Sequence, residues 1–194
     1  MSAIKAAKAA LRKEIEKKLV QLSSDEKQKQ SKIVVEKLFN TPEFKSAKNI
    51  SVYLSTDNEI DTEPIVKKIF DEGKKCFVPR YQKAGMEMVR LNSMEDWESL
   101  PVTKWNIKQP YLKDVRENAL DAGLDLLILP GVAFTKEGLR LGHGAGYYDK
   151  YQTKLKELLE VPPVSIAVAF KEQIVDEVPV EETDVKLDQV LYPD

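Results

Sequence analysis

Leu124-Asp125-Leu126-Leu127-Ile128-Leu129 is an apolar run broken by a single acid and closed by Pro130-Gly131. A run without polar alternation suits a strand covered on both sides, the kind found in parallel sheets between layers of helix. Upstream, Ile50-Ser51-Val52-Tyr53-Leu54 reads as a second strand. A polar turn follows, then an Asp61-capped helix carrying Ile65, Val66, Ile69 and Phe70, with Gly73 as its stop. Cys76-Phe77-Val78 is the next strand, so this segment is a βαβ unit. Downstream, 147–159 reads as a helix ended by Pro162-Pro163, 164–170 as a further buried strand and 187–191 as a short one.

The flanks are less regular. Ile4, Ala7, Leu11, Ile15 and Leu19 recur at helical spacing from Ser2 onward, which predicts an opening amphipathic helix. Ser23 with Glu26 resembles a capping box for a second helix through Ile33, Val34, Leu38 and Phe39, which Thr41-Pro42 is expected to end. Residues 86–91 read as an extra strand, and Trp97, Pro101, Trp105 and Pro110 mark a structured excursion. The expected fold is therefore one α/β domain over 1–194: a mostly parallel central sheet with helices on both faces, preceded by two N-terminal helices.

The bulk properties narrow the function. Thirty basic and 32 acidic residues leave a formal net charge of −2, so no global field draws nucleic acid or an anionic membrane. No stretch approaches the roughly 20 apolar residues of a membrane span, and the basic start (Lys5, Lys8, Arg12, Lys13) is interrupted by Glu14 and Glu16 in a way that a targeting peptide is not. A soluble, monomeric, cytoplasmic protein acting on small molecules is expected. Cys76 and His143 are the only residues of their kinds, which excludes an intramolecular disulfide, a multi-cysteine zinc site and a two-histidine metal site. Cys76 reads as inert packing, and the chemistry is left to carboxylates, cations and backbone amides.

Five of the eight glycines fall between Gly131 and Gly146, after a buried strand and before a helix. Glycine admits close backbone approach, and amides at a helix start attract an anion, so phosphate is the natural guest. Arg140 would add a permanently charged clamp and Asp149 a hard oxygen ligand for magnesium. By spacing alone the same glycines would also serve a tight turn or a close sheet contact. Glu59 would equally cap a turn, and Asp149 would equally complement its helix dipole.

The longer string Gly138-Leu139-Arg140-Leu141-Gly142-His143-Gly144-Ala145-Gly146-Tyr147-Tyr148-Asp149 resembles the G-x-R-L-G-x-G-x-G-Y-Y-D signature of the 5-formyltetrahydrofolate cyclo-ligases, also called methenyltetrahydrofolate synthetases. Lys8-x-x-x-Arg12, Leu54 through Glu59 to Thr62, Val78-Pro79-Arg80, Trp105 to Pro110, Leu129 to Phe134 and Val178-Pro179 through Asp184 are similar to that family in the same order. The resemblance implies conversion of 5-formyltetrahydrofolate, with ATP and magnesium, to 5,10-methenyltetrahydrofolate, ADP and phosphate, through a phosphorylated formyl group and ring closure by N10. It further implies that Lys8, Arg12 and Arg140 act on the ATP phosphates, with Leu141, Gly142, His143, Gly144, Ala145, Gly146, Tyr147 and Tyr148 completing the nucleotide site. Leu54, Glu59 and Trp105 would form the folate pocket with Gly144, Gly146, Tyr147 and Tyr148, and Asp149 and Asp184 would hold the metal. His143 and Ala145 stand where relatives often carry Arg or Lys.

Overall fold

A computed structural model of the chain describes residues 2–194. In order, the elements are α1 (Ala3–Gln21), α2 (Ser24–Phe39), α3 (Pro42–Ser46), β1 (Asn49–Val52), α4 (Glu63–Asp71), β2 (Lys75–Gln82), β3 (Gly85–Leu91), α5 (Met94–Ser99) and α6 (Ala119–Ala122). They continue with β4 (Leu126–Leu129), β5 (Ala133–Phe134), β6 (Arg140–Leu141), α7 (Tyr147–Leu158), β7 (Val164–Val168) and β8 (Gln189–Leu191).

The central sheet has six strands in the order β3-β2-β1-β4-β7-β8. Every neighbouring pair is parallel except β2 with β3. β4, the Leu-rich run, lies in the middle and is buried at every position, as a strand covered on both faces must be. From the centre, the β1-α4-β2 crossover runs one way and the β4-α7-β7 crossover the other. Right-handed crossovers in opposite directions put α4 and α7 on opposite faces of the sheet. β1 and β4 are thus adjacent strands whose chains leave in opposite senses, the kind of switch point where open α/β sheets leave a crevice beyond the strand ends.

Several local expectations change. Thr41-Pro42 ends α2 but also opens α3: the Thr41 hydroxyl donates to Leu38 O at 2.7 Å and accepts from Phe44 N at 3.2 Å, while Pro42 occupies the first helical turn. The cap position of α4 belongs to Thr62 rather than Asp61, although Asp61 Oδ1 still accepts from Glu63 N at 3.1 Å. Thr62 turns its hydroxyl inward, donating to Tyr53 O at 2.7 Å and accepting from Ser55 N at 3.1 Å, which folds 55–62 into a closed loop. Of the expected capping box at α2, the Ser23 half forms, accepting from Glu26 N at 3.1 Å, while Glu26 Oε1 accepts instead from Gln30. Among the described residues no helix is long and apolar enough to cross a membrane. Cys76 is buried in β2, where burial pushes its thiol well up from the ordinary value, in keeping with inert packing.

Candidate active site

The crevice at the β1–β4 switch opens into a cavity of about 1620 Å³. Tyr53 and Leu54, which follow β1, and Pro130, which follows β4, form its floor. The glycine turn forms one wall. Gly146 takes the cap position of α7 in the left-handed region, with φ of 73°, where a side chain would be strained. It carries no capping side chain, so the first amides of α7 are left for whatever enters the cavity.

Arg140 is almost fully buried beside this turn. Its Nη1 donates to Pro130 O at 3.0 Å, its Nη2 lies 3.6 Å from Asp149 Oδ2, and its guanidinium sits 5.6 Å from the centre of the Tyr148 ring. Burial pulls the Arg140 pKa down from the usual arginine value, and the negative charge of Asp149 acts against that. Arg140 Nε and the Tyr148 hydroxyl are buried without a hydrogen-bond partner, an unmet demand at the cavity wall. Gly142 keeps this packing close, because a Cβ there would stand 3.1 Å from Arg140 Nη1 and push the guanidinium aside by a few tenths of an ångström.

Helix α1 supplies the opposite wall through two residues four apart on one face. Arg12 Nε donates to Gly142 O at 2.8 Å, which fixes its guanidinium over the glycine turn. Lys8 Nζ lies 2.7 Å from Asp184 Oδ2 and 3.0 Å from Glu181 Oε1. Burial works against the Lys8 charge, but these two carboxylates outweigh it and raise its pKa. Facing the glycine turn, Glu59 Oε1 accepts from the Thr56 amide at 2.8 Å and hydroxyl at 3.0 Å, while Oε2 lies 3.9 Å from His143 Nε2. Glu59 therefore caps its turn and also presents an oxygen to the cavity. Burial pushes its carboxyl up from the ordinary value, against the Thr56 amide and His143. Burial also pushes Tyr81 up to about 12 and Tyr148 well above the ordinary tyrosine value, so both phenols remain protonated near neutral pH.

Lys8, Arg12, Leu54, Glu59, Trp105, Arg140, His143, Ala145, Asp149 and Asp184 all line this one cavity, as do Gly142, Gly144, Gly146, Tyr147 and Tyr148. Leu141 does not: it pairs with Ala133 in the β5–β6 hairpin, and its side chain belongs to the hydrophobic core. A profile of the 5-formyltetrahydrofolate cyclo-ligase family matches residues 4–193.

This chain belongs to the 5-formyltetrahydrofolate cyclo-ligase family. It is 47% identical over 194 residues to a mouse protein named 5-formyltetrahydrofolate cyclo-ligase, covering 98% of this chain and 96% of the mouse one. It is 42% identical to a Caenorhabditis elegans protein named as a probable 5-formyltetrahydrofolate cyclo-ligase, covering 99% and 95% respectively. The solved Aquifex aeolicus 5,10-methenyltetrahydrofolate synthetase superposes with a TM-score of 0.77 at 29% identity, covering 95% of this chain and 89% of that one.

For a cyclo-ligase the site also includes residues to which the sequence assigned no role. Tyr53, Tyr81, Gln109, Pro130, Glu181 and Lys150 line the same cavity. Tyr81 had one available signal: in a strand it shares a face with Pro79, two residues back, which also lines the cavity. Among the described residues no cluster of three or more His, Cys, Asp or Glu is arranged to hold a metal. Asp149 Oδ1 accepts from Val185 N at 3.1 Å, and Asp184 Oδ2 is taken by Lys8 and the Glu181 amide. The second oxygen of Asp184 lies outside those hydrogen bonds, while the second oxygen of Asp149, Oδ2, faces Arg140 Nη2 at 3.6 Å. Carboxylates of this kind are the donors magnesium takes, since it keeps several waters and uses one or two carboxylates together with phosphate oxygens.

Proposed function

We propose that this chain converts 5-formyltetrahydrofolate to 5,10-methenyltetrahydrofolate in a reaction that depends on ATP and magnesium and releases ADP and phosphate. The observation that carries the reading is that one large cavity brings two chemically different sets of residues together. One set is Lys8, Arg12, Arg140 and the uncapped amides of α7, suited to a triphosphate; the other is the Glu59 carboxylate and Trp105, suited to an amino-pyrimidine ring. The volume of about 1620 Å³ exceeds that of a typical single-ligand pocket, roughly 300–1,000 Å³, and accommodates two ligands in contact.

The formamide oxygen of the substrate is a poor leaving group. Transfer of the γ-phosphoryl group of ATP to that oxygen converts it to a phosphate ester of an iminium. N10 then attacks the activated carbon and gives up its proton to the departing phosphate or to solvent, the C–O bond breaks, and phosphate leaves with the formyl oxygen. Residues of this chain act on charge and position: Arg140 and Arg12 stabilise phosphoryl oxygens, the α7 amides hold the phosphates in place, and Glu59 fixes the ring that presents the formyl group. Magnesium, held by Asp149 and Asp184, would neutralise phosphate charge. We further propose that the chain acts as one domain and as a monomer in the cytoplasm, a reading supported by its nearly balanced charge and its single buried cysteine.

The test is the appearance of methenyltetrahydrofolate absorbance when purified protein meets 5-formyltetrahydrofolate. Signal with ATP and magnesium, and none when either is left out, supports the reading. Turnover without ATP, or none with it, refutes it.

A further inference from the structure

We infer that Arg80 is a positioning residue for the folate end of the cavity, holding the excursion of residues 101–116 so that Trp105, Ile107 and Gln109 form its wall. The inference rests on the functional reading above. Pro79 and Tyr81 line the cavity, and strand alternation turns the Arg80 side chain between them to the opposite face of β2. Arg80 is absent from the lining and nearly buried, so its influence on a ligand must pass through other residues.

Four of the five N–H donors of its guanidinium are committed. Nε and Nη2 both donate to Glu87 Oε1, the former at 2.9 Å, and Nη1 donates to Tyr111 O and Asp114 O, each at 2.9 Å. A second bolt acts from the excursion itself: the Gln109 amide accepts from Tyr81 N at 3.0 Å and donates to Tyr81 O at 3.2 Å, standing in for a neighbouring strand. Such polar bolts matter because the excursion has little core of its own. Within it, Val102 and Lys108 form an isolated bridge, and Trp105 is 71% exposed, with Val102, Tyr111 and Leu112 also exposed. Releasing the two carbonyls held by Arg80 would leave the wall carrying Trp105 held by Gln109, by Lys108 on Trp97 O and by the Arg116–Asp96 ion pair, and so looser at 111–114, while α1, the glycine turn and α7 keep their own contacts.

Arg80→Lys tests this, because one ammonium cannot reproduce the planar fork that spans Glu87 and two carbonyls. The control is Glu87→Gln, which leaves the Nη1 contacts to Tyr111 and Asp114 in place. KM for 5-formyltetrahydrofolate, KM for ATP and kcat are measured for both, together with the rate of tryptic cleavage at Lys104, Lys108 and Lys113. Arg80→Lys should raise the folate KM by about tenfold or more, leave the ATP KM within about twofold, and speed cleavage in the excursion by a similar factor. Glu87→Gln should stay close to wild type in both measurements. An unchanged folate KM, equal rises in both KM values, or unaltered cleavage would overturn the inference. Absence of turnover in the wild-type protein would instead sink the functional reading, and the cleavage rates would still decide whether Arg80 holds the excursion.

Discussion

Replacing Glu59 with Gln should weaken folate binding while leaving nucleotide binding alone, and the structure sets both the size and the direction of the effect. Oε1 is committed to the Thr56 amide and hydroxyl, so the amide oxygen of a glutamine must take that place. The NH2 group then stands where Oε2 faces the cavity, and a donor replaces an acceptor opposite the donor edge of the pterin. Loss of a charge-assisted hydrogen bond costs about 1.5–3 kcal/mol, a roughly ten- to hundredfold rise in Kd. Stability should move the other way. The fold holds the Glu59 carboxyl above its ordinary value, chiefly through burial, so the folded state binds that proton more tightly than the unfolded chain. Its favourable contribution is present below the ordinary value of 4.5 and is lost as pH rises through the folded value. Glu59→Gln, neutral throughout, should therefore match or exceed the wild-type Tm near neutral pH and lose that advantage in acid. Titration of each ligand by tryptophan fluorescence, with thermal unfolding at several pH values, measures both effects. An unchanged folate Kd, or an equal loss for ATP, would make Glu59 a turn residue alone.

Arg140 and Asp149 should fail differently. Arg140→Ala removes fixed positive charge worth about a hundredfold in rate, with no rescue by magnesium. It also strands Asp149 and the Pro130 carbonyl, so Tm should fall by roughly 10 °C, from a cost of about 3–5 kcal/mol. Asp149→Asn keeps its contact with Val185 N to a first approximation and should show a raised magnesium requirement with partial recovery at high magnesium; unchanged magnesium dependence would leave Asp149 a partner of Arg140 only. Gly138→Ala should be the most damaging glycine substitution: its φ is 104° and a Cβ would lie 2.4 Å from the backbone oxygen of Leu187. The combined strain, about 3 kcal/mol or more, predicts a Tm loss of at least about 6 °C, against a smaller loss for Gly85→Ala, where φ is 133° but the space is open; equal losses would refute the steric argument.

What the sequence disclosed follows from where it carries a period. The apolar run at Leu126–Leu129, the strand at β1 and the amphipathic α1 and α4 were legible because burial on one or both faces imposes a pattern on their residues. The β5–β6 hairpin was not, since two-residue strands are too short to show alternation. That omission hid the setting of Leu141: in a strand its side chain faces away from Arg140 and into the core, which a loop reading does not disclose. Pro42 was read as a stop because the Thr41 hydroxyl serves two helices at once. The ion pair of Lys8 with Asp184 joins residues far apart in the chain, and the place of Tyr81 depends on the excursion folding back onto β2; topology makes both contacts, and no local pattern announces them.

The most direct test of the account follows the formyl oxygen. With 5-formyltetrahydrofolate labelled with heavy oxygen in the formyl group, turnover with ATP should release inorganic phosphate carrying that label, one atom for each methenyltetrahydrofolate formed. Labelled phosphate in that ratio is the result expected if the cavity transfers a phosphoryl group to the formyl oxygen before ring closure. Unlabelled phosphate alongside methenyltetrahydrofolate, or product formed without phosphate, would contradict it.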